Sequence, residues 1–134
     1  MSRYTNFDIA YKRLSDEFDK YGNIIVAFDV DSTVLPFHPD EKPEEYDEIR
    51  SLLAHLYIKG CTLIVFTAAN ESRWDEIKEK LNKINIKYHY FNESPPNIPG
   101  ISKTGKVYAN IYLDDRAGLD STVKMLKKLI KEKL

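Results

Sequence analysis

Asp29 and Asp31 stand one residue apart at the end of an uninterrupted apolar run, Ile24-Ile25-Val26-Ala27-Phe28. Two carboxylates this close repel each other and call for a cation or a shared proton. A second acid pair, Asp114-Asp115, closes another apolar stretch, Ala109 to Leu113, and a hydroxyl, Thr67, follows a third, Thr62 to Phe66. Two lysines, Lys103 and Lys106, lie eleven and eight residues ahead of Asp114. Carboxylates, a hydroxyl and an ammonium suit phosphoryl transfer. The acids hold Mg²⁺ while water completes its octahedron, and the ammonium and hydroxyl orient phosphate oxygens. Without a cation a carboxylate could hardly approach a phosphate dianion, since two unit charges at about 4 Å interact by about 4 kcal/mol at an effective dielectric near 20.

The elements that must bring these groups together are legible in the periodicity. Phe7, Tyr11, Leu14 and Phe18 recur at three- and four-residue steps, which predicts an amphipathic helix from Asn6 to Tyr21 closed by Gly22. A strand follows over Asn23 to Phe28, apolar enough to be covered on both faces. Three prolines between Pro36 and Pro43 make residues 34–43 a short flap, placed over the Asp pair by connectivity. Pro43 suits the first turn of a helix reaching Lys59, with Tyr46, Ile49, Leu52, Leu53 and Leu56 inward. A strand from Thr62 to Phe66 leads to a helix from Glu71 to about Ile84, capped by Asn70, with Trp74, Ile77 and Leu81 inside. Lys87 to Phe91 reads as a third strand, residues 92–106 as a long loop, Ala109 to Leu113 as a fourth strand, and Leu119 to Lys133 as a last helix. The order helix-β-α-β-α-β-loop-β-α implies a parallel sheet with right-handed crossovers, whose strand ends gather the acids and Thr67 at one edge.

The composition bounds the rest. A chain of 134 residues, 43% hydrophobic and 31% charged, fits a single domain over residues 1–134. A net charge of −1 gives no general nucleic-acid or membrane surface, and the basic stretch from Lys124 to Lys133 is the solvated face of a helix. The lone cysteine, Cys61, forms no intramolecular disulfide, opens an apolar run and reads as a buried thiol in a reducing, cytoplasmic setting. The sequence carries no leader-like or spanning apolar run.

Phe28-Asp29-Val30-Asp31-Ser32-Thr33, Thr67 after an apolar strand, a downstream lysine and Leu113-Asp114-Asp115 together resemble the four motifs of the haloacid dehalogenase (HAD) superfamily of phosphohydrolases. The resemblance runs in motif order from about Asn23 onward. It implies a three-layer α/β/α Rossmann-like fold with a central parallel sheet, to which the N-terminal helix is an addition. It implies an aspartyl-phosphate mechanism with Asp29 as nucleophile and Asp31 as general acid and base. Asp29 and Asp114 would ligate Mg²⁺ through their side chains and Asp31 through its carbonyl. Thr67, Ala68 and the lysine, Lys106 in preference to Lys103, would hold the phosphoryl group of a small-molecule phosphate ester. Ser32 replaces the glycine usual after the second aspartate, as phosphoserine phosphatases also tolerate. Those enzymes have a cap domain where this chain has only residues 34–43 and one helix, so their substrate does not carry over. The Leu-Asp-Asp-Arg string and compact build are similar to small deoxyribonucleotidase-like members, a hint at nucleotide monophosphates. So short a flap leaves the site open, which suits a large substrate, a generous small-molecule range, or closure by a second copy.

Other readings fit less well. A calcium loop would need glycine where Val34 stands and a helix where a strand precedes. A receiver domain has its double acid near the first strand, and here it comes last. A non-catalytic phosphate- or nucleotide-binding module, or a phosphotransferase, remains the alternative to a hydrolase. Asp115 could meet the metal directly or through water. Arg116 reads as a structural salt bridge ahead of a substrate contact. Asn70 and Arg73, near the site edge, read as a cap and a solvated charge ahead of substrate contacts, and His38 as an exposed flap residue ahead of a contact with the leaving group.

Overall fold

A computed structural model of the protein describes residues 3–101 and 105–134. Helix α1, Phe7–Tyr21, starts where the Asn6 side chain accepts the amides of Asp8 and Ile9. It stops at Gly22, whose φ of 69° lets its N–H donate back to the Phe18 carbonyl. Four parallel strands follow in the chain: β1, Ile25–Phe28; β2, Thr62–Val65; β3, Tyr90–Phe91; and β4, Ile111–Leu113. They form one sheet in the order β3-β2-β1-β4, with Phe28 level with both Val65 and Leu113. The chain steps outward from β1 through β2 to β3, then crosses back to place β4 on the other side of β1. That reversal is the topological switch point at which open α/β sheets form their ligand crevice.

All four strands are shorter than expected, and for β3 and β4 the late start has one reason. The Leu63 N–H donates to Nδ1 of His89, while the His89 N–H donates to the Leu63 carbonyl. The Ile25 N–H likewise donates to Oδ1 of Asn110, while the Asn110 N–H donates to the Ile25 carbonyl. At each strand start a side chain stands in for a ladder carbonyl, so regular pairing begins one residue later. The expected helices also begin late. Pro43–Tyr46 and Glu71–Arg73 are 3-10 turns that feed α2, Asp47–Ile58, and α3, Trp74–Lys83. Helix α4 spans Leu119–Lys133, as its spacing predicts.

The sheet is a layered, Rossmann-like α/β arrangement. Its main face, with Val26, Phe28, Leu63, Val65, Ile111 and Leu113, packs against buried residues of all four helices, among them Leu14, Leu53, Leu56, Ile77, Leu81, Leu126 and Leu129. The second face holds a smaller cluster of Ala27, Ile64 and Val107, with Phe66, Ala109 and Tyr112 against it. There the β3–β4 connection supplies the outer layer. Cys61 is buried and desolvation pushes its thiol up to about 11, so it is an inert core group. Trp74 is half-buried against Phe91, with ring centroids 5.1 Å apart. Among the described residues no helix is long and apolar enough to cross a membrane.

Candidate active site at the C-terminal strand edge

Beyond Phe28 the β1 chain is still held by its neighbours: the Asp29 N–H donates to the Leu113 carbonyl at 2.8 Å. It then folds back sharply. The Val30 carbonyl accepts from the amides of Thr33, Val34 and Leu35, and Ser32 takes a left-handed φ of 61° to make the turn. This turn drives Thr33 into the interior, where it is fully buried beneath the acids. The Thr33 hydroxyl accepts the Asp115 N–H at 3.0 Å and lies 3.4 Å from Asp29 Oδ2 and 3.2 Å from Asp115 Oδ1. A single hydroxyl thereby ties the end of β1 to the end of β4.

The result is a cluster of carboxylates. Oxygens of Asp29, Asp114 and Asp115 all lie within 4.8 Å of one another. Burial chiefly, then a hydrogen bond with the Asp115 carboxyl, pushes Asp29 up to about 7; the Val30 backbone opposes this, and the charges of Asp114 and Asp115 add to it. All three donors are hard oxygens, the set that suits Mg²⁺.

The cluster lies in a cavity of about 580 Å³ that Asp31, Thr67, Ala68, Arg73 and Arg116 also line, with Phe37 and His38 contributed by the flap. Thr67 is fixed by a residue absent from the sequence-based expectations. Asn92, just past β3 in a left-handed conformation, accepts the Thr67 N–H at 2.8 Å and donates to the Thr67 carbonyl at 2.9 Å. The Thr67 hydroxyl accepts the Ala69 N–H at 3.1 Å and keeps its own hydrogen for another acceptor.

Asp29, Asp31, Thr67, Ala68 and Asp114, expected from widely separated stretches, therefore share one cavity. The Asp31 side chain, expected as acid and base with only its carbonyl toward the metal, stands apart from the carboxylate cluster, and Asp115 is the third member of it. The two Asp31 oxygens instead accept from Arg73 Nη1 and Nη2, at 3.0 and 3.3 Å. Lys106, in turn, lies outside this cavity. Its ammonium sits 5.2 Å from the centre of the Tyr112 ring, whose π face attracts it, and it lines an adjoining cavity of about 900 Å³. The two cavities share Phe66 and Asp114. Lys103 falls outside the described residues. Arg73, read as a solvated charge, is the main partner of Asp31 and also lies over Phe37, 5.6 Å from its ring centre. Asn70 is the expected cap, accepting the Ser72 N–H.

The flap is tethered from below. Glu41 accepts the Ser32 hydroxyl at 2.6 Å, the Phe37 N–H at 2.6 Å and the Tyr46 hydroxyl at 2.7 Å. These bonds, the Ser32 one foremost, hold its carboxyl down to about 2.

The fold has a counterpart among solved structures. A conserved protein of Bacteroides thetaiotaomicron superposes with a TM-score of 0.63 over 84% of this chain and 93% of its own, at 24% identity. At that identity the likeness speaks to the fold alone. No protein-family model and no curated protein matches the chain.

Proposed function

We propose that the chain is a Mg²⁺-dependent phosphomonoester hydrolase of the HAD type, working through Asp29. The observation that carries this reading is the convergence of Asp29, Asp114 and Asp115 within 4.8 Å, in a cavity that also presents Thr67. Asp29 and Asp114, with Asp115 beside them, are the side chains to hold the metal; the Asp31 carbonyl is the further candidate from the family pattern. The bound ion supplies positive charge against the phosphate oxygens, which lets a carboxylate approach phosphorus.

Asp29 attacks phosphorus through a carboxylate oxygen as the bond to the leaving oxygen breaks, and Asp31, carrying a proton, delivers it to that oxygen. Water then attacks the acyl phosphate and gives its proton to Asp31, which releases inorganic phosphate and restores Asp29. Thr67 donates its free hydroxyl hydrogen to a phosphoryl oxygen.

A second reading, a phosphate-binding module without turnover, draws support from two features: both Asp31 oxygens are engaged by Arg73, and Lys106 faces the adjoining cavity. Hydrolysis of an aryl phosphate with and without Mg²⁺ separates the two. Turnover that needs the metal and drops at least about a thousandfold in Asp29→Asn supports the hydrolase. Equal turnover in Asp29→Asn, or phosphate binding without hydrolysis, favours the module.

A further inference from the structure

The Arg73–Asp31 pair sets a condition on the substrate. In the resting protein both oxygens of Asp31 accept from the guanidinium, so neither is free to reach a leaving-group oxygen. Arg73 enters from the turn before α3, and Phe37 of the flap lies against its guanidinium. The pair is not sealed: the Arg73 and Asp31 side chains keep 35% and 26% of their surface exposed, on the wall of the cavity. A half-exposed ion pair exchanges readily with another carboxylate of the same planar geometry. Four carboxylates line this cavity, and beside Arg116 the guanidinium of Arg73 is the fixed positive charge on its wall. A second negative group on a substrate is repelled by these acids and attracted by a guanidinium, and Arg73 is the one already fitted to a carboxylate.

We propose that Arg73 is a specificity residue that latches Asp31 in the empty site and releases it to a carboxylate carried by the leaving group. The substrate class is then a phosphomonoester whose alcohol also bears a carboxylate. On arrival that group takes the bidentate place of Asp31 on the guanidinium. Asp31, freed, takes a proton from water and turns toward the leaving oxygen to deliver it, and Phe37 covers the new pair as it covers the old one. A phosphate ester with a neutral alcohol lacks the group that opens the latch. This inference rests on the hydrolase reading for its consequence in turnover, and on the pair alone for its consequence in binding.

The test uses a matched pair, phenyl phosphate and 3-carboxyphenyl phosphate, with the full chain and Mg²⁺. The wild-type protein is expected to favour the carboxylated ester by at least tenfold in kcat/KM. In Arg73→Gln that ratio falls to near one, and Arg73→Lys restores part of it. Arg116→Gln removes a charge from the same wall without touching the latch, and the ratio persists. A ratio unchanged in Arg73→Gln, or lost equally in Arg116→Gln, overturns the proposal. Failure of the hydrolase reading would show as no turnover of either ester. Binding then decides, using phenylphosphonate and 3-carboxyphenylphosphonate and the fluorescence of Trp74, the single tryptophan and the residue next to Arg73. Tighter binding of the carboxylated phosphonate that Arg73→Gln abolishes sustains the latch; equal binding of the two by the wild-type protein sinks it.

Discussion

At Asp29 folding and chemistry pull against each other. Its carboxyl ordinarily titrates near 3.8 and is pushed up to about 7 in the folded chain, mainly by burial. The folded state therefore binds the extra proton between those values. Stability tied to that proton is fully present below about 3.8 and is lost as pH rises through about 7. A shift of about three units sets a ceiling near 4 kcal/mol, and solvent around a half-buried group reduces this to about 1–2 kcal/mol. Asp29→Asn removes the penalty. In the presence of a chelator its melting temperature should exceed the wild type's by roughly 5 °C at pH 8 and converge with it near pH 4. Saturating Mg²⁺ should close the gap at pH 8 by stabilising the wild type alone. Thermal melts across pH decide it, and a gap that does not grow with pH would show that Asp29 is solvated rather than strained. The acids at residues 29, 31 and 114 were legible because each ends an apolar run. What each side chain touches was not, because Arg73 lies 42 residues from Asp31 and no local pattern reports a long-range ion pair.

The elements show the same division between local and distant causes. Helix α1 runs to its expected ends because cap and stop are neighbours in sequence, Asn6 and Gly22. Strands β3 and β4 fell short because His89 and Asn110 replace ladder carbonyls, a substitution visible only when the partner strand is in place. Asn92 is illegible for a related reason: its polarity fits a loop, and its clamp on Thr67 crosses 25 residues. The flap was expected from its prolines, but its anchor was not. Glu41 gathers three donors and its carboxyl is held down to about 2 from an ordinary 4.5. The contribution of such a group is present above about 4.5 and is lost as pH falls through about 2. Glu41→Gln keeps the shape and removes the charge that strengthens all three bonds. At neutral pH the Phe37 amide should exchange with solvent roughly tenfold faster in that variant, while amides in β1 keep their protection. Hydrogen exchange read by NMR checks this, and an unaltered Phe37 rate would mean that the prolines alone hold the flap.

Across the whole molecule the sheet is unequally covered, and the site stands where the two kinds of cover meet. One face lies beneath all four helices; the other lies beneath the connection that carries Val107 and Ala109. The alternation of elements implies a parallel sheet with right-handed crossovers, but the order β3-β2-β1-β4 is set by which strands pair in space. The unequal cover is illegible in the sequence, because the stretch around Val107 and Ala109 has no apolar period to say which surface it covers. Enclosure should therefore decide what a lost side chain costs. Leu126 of α4 has no exposed surface and sits among rigid helices, so Leu126→Ala leaves a void that cannot collapse and should cost about 2–5 kcal/mol. Val107 is 6% exposed and forms a wall of the 900 Å³ cavity. Val107→Ala gives up about two methyl groups to a space that water can enter, and should cost about 1–2 kcal/mol. Urea unfolding of both variants measures the contrast. Equal losses would mean that the second face is packed as tightly as the first, and that the groove beside Asp114 and Lys106 closes in solution.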